Sequence, residues 1–219
     1  MMSRVGLVAI VALVGGVDHV VSQESTAARP GRRASLERSR EITLARSAAP
    51  PDVTARATVL VLGDTGYVTA VAGSNGVTCF VARSQPQSVE PQCFDAEASR
   101  TILQMELRRA ALGQQGKSRD EIERDIASGF VDGRFRLPER PAVSYMMSAG
   151  QDLYNDEGRH VGRWHPHLMI YFPYLTAEAI GHTGPDLRTV VVVDAGKPTA
   201  NLMVIVREFI EPGATVGRP

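Results

Sequence analysis

Two histidines and a methionine occupy every second position in the sequence His165-Pro166-His167-Leu168-Met169, in the last third of the chain. Side chains two positions apart in an extended strand point to the same side, so His165, His167 and Met169 are predicted to share one side. Two imidazoles in that arrangement can bind one metal ion, and a thioether beside them favours copper over zinc. The pattern predicts a zinc or copper site. The alternative is that Pro166 interrupts the strand and that the histidines only make hydrogen bonds at the end of the strand.

Two further histidines, His160 and His182, flank this segment and are candidates for a third nitrogen ligand. The predicted metal ligands are therefore His165, His167 and Met169 with His160 or His182. A histidine pair spaced by one residue is a short motif, so the metal site is a hypothesis that the fold has to support.

Aromatic residues are concentrated in the same region, which holds the only tryptophan. Trp164, Tyr171, Tyr174 and Tyr145 are predicted to form the apolar wall of a pocket for a small organic ligand. Aromatic side chains at a strand end also serve as core filling, and that interpretation stays open.

The sequence Gly63-Asp64-Thr65-Gly66 contains the Asp-Thr-Gly of aspartic proteases, but no second copy supplies the paired carboxylate. A hairpin turn explains these residues without chemistry. The chain also lacks the G-x-S-x-G, H-E-x-x-H, P-loop and dinucleotide-binding motifs. We expect a binding module for a small ligand or a metal ion, with a hydrolase using His165 and His167 as the alternative.

The elements that position these residues are predicted to be strands at both ends and helices between them. Three β-branched runs separated by glycine-rich turns indicate an N-terminal antiparallel meander, and an apolar stripe followed by the capping-box pattern Ser118 to Glu121 indicates a central helical pair. The predicted strands are residues 58–62, 67–71, 77–82, 142–147, 167–172, 189–193 and 202–207, and the predicted helices are 95–112 and 118–130. This order predicts an α+β fold, an antiparallel sheet with the helical pair on one face.

The start of the chain resembles a secretory signal, because Arg4 precedes an uncharged, mostly apolar run over residues 5–17. That run is shorter than the roughly 20 residues that span a bilayer. We predict a signal peptide over residues 1–22, an Arg-rich leader over 23–51, one domain over 52–212 and a tail over 213–219. The leader is interpreted as a mobile arm or as a helix from Leu36 to about Ala45, capped by Ser35, that lies on the domain surface. The expected location is periplasmic or secreted, with an uncleaved anchor as the alternative.

The two cysteines, Cys79 and Cys93, are expected to form a disulfide in such a compartment, the alternative being a nucleophilic thiol. The chain has 24 basic and 24 acidic residues, so its formal net charge is zero. That balance argues against nucleic acid, and membrane contact is expected only through the signal segment.

Two segments of the chain, residues 90–97 (EPQCFDAE) and 164–169 (WHPHLM), resemble a group of secreted bacterial proteins of similar length. The resemblance covers residues 50–175. It implies a bacterial, exported protein, and it transfers no catalytic residue because that group has no assigned activity.

Overall fold

A computed structural model of the chain describes residues 36–181 and 190–214. The predicted signal peptide, Ser35 and His182 lie outside these residues. The helices are α1 (Arg38–Arg46), α2 (Pro51–Thr54), α3 (Ala96–Arg100), α4 (Ile102–Gln114) and α5 (Arg119–Val131), with a 3-10 helix at Glu178–Ile180. The strands are β1 (Thr58–Leu62), β2 (Tyr67–Val71), β3 (Thr78–Ala82), β4 (Glu90–Phe94), β5 (Ala142–Met146), β6 (Leu153–Tyr154), β7 (His160–Gly162), β8 (His167–Tyr171), β9 (Val190–Val193) and β10 (Asn201–Ile205).

Within the described residues, eight strands form one sheet in the order β2-β1-β3-β4-β5-β8-β10-β9, and β6 pairs with β7 in a separate hairpin. Neighbours in the large sheet are antiparallel except for β1 and β3. The predicted mixture of helices with a mostly antiparallel sheet is therefore confirmed.

The N-terminal strands differ from the predicted meander, because β1 lies between β2 and β3 and pairs in parallel with β3. The glycine-rich connection after β2 explains the difference. Gly73 N donates to Thr58 Oγ1 at 3.1 Å and Ser74 N donates to Arg56 O at 2.8 Å, so the chain passes the start of β1 instead of turning back along β2.

Helices cover both faces of the sheet. On one face, which we call the α4 face, Phe80, Phe94 and Tyr171 join the buried apolar residues of α3, α4 and α5. On the opposite face, which we call the α1 face, Val59 and the two cysteines pack against α1. The helical pair α4–α5 was expected, and α1 corresponds to the surface helix that was one interpretation of residues 36–45. Its burial against the second face of the sheet was not predicted, so the packed part of the chain begins before residue 52.

Side-chain caps set the starts of three helices, α1, α3 and α5. Asp95 accepts a hydrogen bond from Ala98 N at the start of α3, and Ser118 with Glu121 forms the predicted capping box of α5. The single helix predicted over residues 95–112 is broken at Thr101, whose backbone has φ −118° and ψ −80°. Glu37 caps α1 by accepting from Ser39 N and Arg40 N. Among the described helices, none has the length and hydropathy needed to cross a bilayer.

Candidate functional site

The strand β8 places His167, Met169 and Tyr171 on the α4 face, as strand alternation requires. The register then adds two side chains from the flanking strands, because Met146 of β5 lies opposite His167 and Met203 of β10 lies opposite Met169. We call His167, Met146, Met169 and Met203 the His–Met cluster. One imidazole and three thioethers therefore occupy adjacent positions on three neighbouring strands.

The His–Met cluster is shielded from solvent. His167 is 4% exposed, Met146 is 8% exposed and Met203 is 9% exposed, while Met169 is half-buried against the core of the α4 face. Side chains directly opposite each other on neighbouring strands have Cβ atoms about 4.5–5.5 Å apart. Methionine has three flexible side-chain torsions, so each sulfur atom can turn towards a neighbour on the adjacent strand.

The imidazole of His167 is held in one orientation by a backbone carbonyl two residues earlier in the chain. His167 Nδ1 lies 2.7 Å from His165 O, and a ring nitrogen that faces a carbonyl carries the hydrogen. In the neutral ring Nε2 is then the atom with a free lone pair, which is how a metal-binding histidine is usually oriented. Burial lowers the pKa of His167, with the His165 carbonyl opposing that shift. The sulfur of Met146 also has a polar neighbour, Gln92 Nε2 at 3.4 Å.

His165 does not share the buried position of His167. It lies before β8 and is exposed, with Pro166 between the two residues, and its ring contacts Trp164 edge-on at a centroid distance of 5.8 Å. The side chains were expected to alternate between the two faces of the sheet from residue 165 onwards. The alternation begins at His167, because β8 begins there.

His160 lies in the β6–β7 hairpin, outside the large sheet, and its Nε2 is 2.6 Å from Asp152 Oδ1. The structure therefore pairs His160 with a carboxylate and does not group it with His167. Within residues 36–181 and 190–214, no three His, Cys, Asp or Glu side chains are arranged to hold a metal ion.

The four predicted ligand-binding aromatic residues are not brought together. Tyr145 packs on the α1 face, whereas Tyr171 is buried on the α4 face with its hydroxyl 3.2 Å from Ser144 Oγ. Burial raises the pKa of Tyr171. Trp164 is 39% exposed and Tyr174 is 57% exposed. A ligand on one face of the sheet therefore contacts Tyr171 or Tyr145, not both.

Two concave sites lie away from this region. A groove of about 370 Å³ lies between α1, α2 and residues 210–214, with Arg46 in its wall. A cleft of about 70 Å³ is lined by Glu90, Glu106 and Arg109. Burial raises the pKa of Glu106, and Arg109 opposes that shift from 3.6 Å. This cleft is smaller than the roughly 300–1,000 Å³ usual for small-molecule sites.

Sequence reasoning missed Met146, Met203 and Arg46. The two methionines stand on strands with the same alternation as β8, but only the register shows that they face His167. Arg46 was assigned to a polar leader.

The predicted disulfide is present, with Cys79 and Cys93 on paired strands and a sulfur–sulfur distance of 2.03 Å.

Comparison with protein-family models, with curated proteins and with solved structures found no match for this chain.

Proposed function

We propose that the protein is an exported binding module for a soft monovalent metal ion, Cu(I) or its analogue Ag(I), held by the His–Met cluster. The observation that supports this proposal is the register of three strands, which aligns Met146 with His167 and Met203 with Met169 on one buried face. The proposal keeps His167 and Met169 as ligands and adds Met146 and Met203.

The donor types favour a monovalent soft ion. Thioether sulfur selects Cu(I), whereas Zn²⁺ is usually bound by thiolate, imidazole and carboxylate ligands. The four donor groups carry no formal charge when the imidazole is neutral. A buried site without a compensating anion disfavours a divalent ion more than a monovalent one, because the cost of burying charge rises steeply with charge.

Export is supported by two features of the chain. The disulfide between Cys79 and Cys93 is typical of compartments outside the cytoplasm. The apolar run over residues 5–17 has the composition of a signal peptide. Periplasmic or secreted location is part of the proposal.

The alternative is a metal-dependent or other hydrolase that uses His165 and His167, with His160 or His182 as the candidate third ligand. The geometry favours it less, since His165 is exposed and His160 contacts Asp152. A parallel Zn²⁺ titration distinguishes the two proposals.

The test is an anaerobic titration of the purified, metal-free protein with Cu(I) in competition with a chromogenic chelator. We expect one equivalent to bind, and we expect the double substitution Met169→Leu and Met203→Leu to weaken binding by at least roughly a hundredfold, through loss of two of four ligands. Leucine nearly conserves methionine volume, so the variant should fold.

Met147→Leu is the matched control, because Met147 follows Met146 and strand alternation directs it away from the α4 face. Stoichiometric Cu(I) binding that is equal in all three proteins would show that the methionines serve only as packing. Stoichiometric Zn²⁺ binding that depends on His165 would instead favour the hydrolase.

A further inference from the structure

The groove between α1, α2 and residues 210–214 is separate from the His–Met cluster, since α1 packs on the opposite face of the sheet. Its volume of about 370 Å³ falls within the range of roughly 300–1,000 Å³ usual for small-molecule sites. Ile42, Pro51, Ala55 and Ile210 provide apolar parts of its wall. A short hydrocarbon body fits such a lining.

Arg46 gives the groove a positive charge. Its Nε atom has almost no solvent-accessible surface and hydrogen-bonds to no atom in the described part of the chain. A ligand in the groove therefore meets the guanidinium through its other nitrogen atoms, and the positive charge favours an anionic head. Arg46 lies in the last turn of α1, where the carboxyl end of the helix stabilises a cation.

The hydroxyl groups around the groove already have partners. Thr43 Oγ1 donates to Ser39 O at 3.0 Å, Ser47 Oγ donates to Leu44 O at 2.7 Å, and Thr54 Oγ1 donates to Pro50 O at 3.4 Å. The guanidinium of Arg46 is therefore the group best placed to recognise a polar head. Glu211 also lines the groove and is exposed, so a second negative charge on the ligand is disfavoured.

We propose that this groove binds a monoanionic amphiphile, a molecule with one carboxylate head and a short alkyl body, with the head paired to Arg46. The guanidinium provides planar donors that match a carboxylate. The apolar wall contributes affinity by removing the alkyl chain from water.

The test is isothermal titration of the full chain with octanoate and, separately, with octanol. We expect octanoate to bind more tightly than octanol. Arg46→Gln should reduce octanoate affinity roughly tenfold or more, because a hydrogen bond to a charged group contributes at least that factor. Glu211→Gln should strengthen octanoate binding by removing a like charge.

Arg40→Gln is the matched control, because Arg40 lies on the same helix, is exposed and does not line the groove. Ala55→Trp fills the groove from an exposed position and should abolish binding without disturbing the core, so it replaces Arg46→Gln if that variant does not fold. Equal affinity for octanoate and octanol, no binding of octanoate, or binding unchanged by Arg46→Gln or by Ala55→Trp would overturn the proposal.

Discussion

Glu41 and Arg83 form an ion pair inside the α1 layer. Both side chains are 1% exposed, and Arg83 Nη2 lies 3.6 Å from Glu41 Oε1, which also accepts a hydrogen bond from Leu62 N at 3.2 Å. Burial raises the pKa of Glu41, and the charge of Arg83 opposes that shift. Each charge therefore depends on the other for compensation.

The substitution Arg83→Met is expected to lower the free energy of unfolding by about 3–5 kcal/mol at neutral pH, because it leaves a buried carboxylate without its partner. A carboxyl group whose pKa is raised in the folded state favours folding below its unfolded pKa, and that contribution is lost as the pH rises through the folded pKa. The deficit of the Arg83→Met variant should therefore be smaller at about pH 4 than at pH 7. Urea unfolding of the variant and of the original protein at both pH values measures this difference in the free energy of unfolding.

Adding Glu41→Gln to Arg83→Met is the control for this prediction. The double variant has no buried charge at this place, so it should recover part of the lost stability at neutral pH and show a weaker pH dependence. A deficit that is the same at both pH values would mean that Glu41 is not the responsible group.

At the residue scale, alternation in the sequence was sufficient to place His167 and Met169 on one side of a strand. It was not sufficient to find their neighbours, because Met146 and Met203 reach them through the pairing of β5, β8 and β10. Register depends on long-range contacts that a local pattern does not contain. Pro166 was recognised as a possible break, and the strand indeed begins after it.

The helices α4 and α5 are joined by Asp125. Arg108 Nε and Nη2 donate to the two oxygens of Asp125 at 2.9 and 2.8 Å, and Arg134 Nη1 contacts the same carboxylate at 3.3 Å. The hydrogen bonds from Arg108, with those from Arg134, lower the pKa of Asp125 to about 2. The carboxylate is therefore ionised at neutral pH and links two helices.

The substitution Asp125→Asn should lower the melting temperature by a few degrees at pH 7. A carboxyl group whose pKa is depressed by folding stabilises the protein above its unfolded pKa, and this contribution disappears as the pH falls towards the folded pKa. The difference between the variant and the original protein should therefore shrink as the pH is lowered towards about 2. Thermal melts at several pH values check it.

Asp120→Asn provides the comparison, since Asp120 is an exposed carboxylate in the first turn of the same helix. It should have a smaller effect than Asp125→Asn at pH 7. Equal effects of the two substitutions would mean that the pairing with Arg108 adds nothing to stability.

Gly73 determines how the chain crosses from β2 to β3. A Cβ atom at this position would lie 2.1 Å from Thr58 N and 2.4 Å from Ala57 C, which are backbone atoms that cannot move aside alone. Gly73→Ala should lower the free energy of unfolding by about 1–3 kcal/mol, because the crossing has to shift away from β1. Denaturant unfolding measures the loss.

Ser74→Ala is the neighbouring control, and we expect it to change stability by less than about 0.5 kcal/mol because Ser74 is exposed. A tolerated Gly73→Ala would show that the crossing is adaptable and that close packing does not fix the parallel pairing of β1 and β3.

At the element scale, strand positions could be predicted but their neighbours could not. The β-branched runs of β1, β2 and β3 and the turns between them were evident, yet a turn rich in glycine is compatible with a hairpin or with a crossing. The choice is made by the hydrogen bonds to Arg56 O and Thr58 Oγ1, which lie outside the turn. The break between α3 and α4 at Thr101 could not be predicted either, because no glycine or proline marks it in the sequence.

At the scale of the whole molecule, the sequence predicted a sheet with helices on one face, whereas helices cover both. A helix over residues 36–45 was one interpretation of the leader, but its close packing on the second face was not predicted, because the side chains that it buries are mainly small. Ala45, Ala48 and Ala49 are fully buried between arginines and serines, and alanine gives little apolar periodicity. The overall balance of charge could not reveal that Glu41 and Arg83 are buried as a pair.

The disulfide ties β3 to β4 at the centre of this two-sided sheet. Cys79 and Cys93 are both fully buried and are separated by 14 positions in the chain. Closing a loop of about 15 residues restricts the unfolded chain by about 3 kcal/mol. Replacing both cysteines by alanine should therefore lower the free energy of unfolding by about that amount, as measured by urea unfolding.

A reducing agent should destabilise the original protein to a similar extent and leave the doubly substituted protein unchanged. This comparison separates loss of the cross-link from loss of packing, because reduction keeps both sulfur atoms in place. If reduction has no effect while the substitutions destabilise, the sulfurs contribute by filling the α1 layer. If both treatments act equally, the cross-link stabilises the whole sheet, and the chain depends for its full stability on an oxidising compartment.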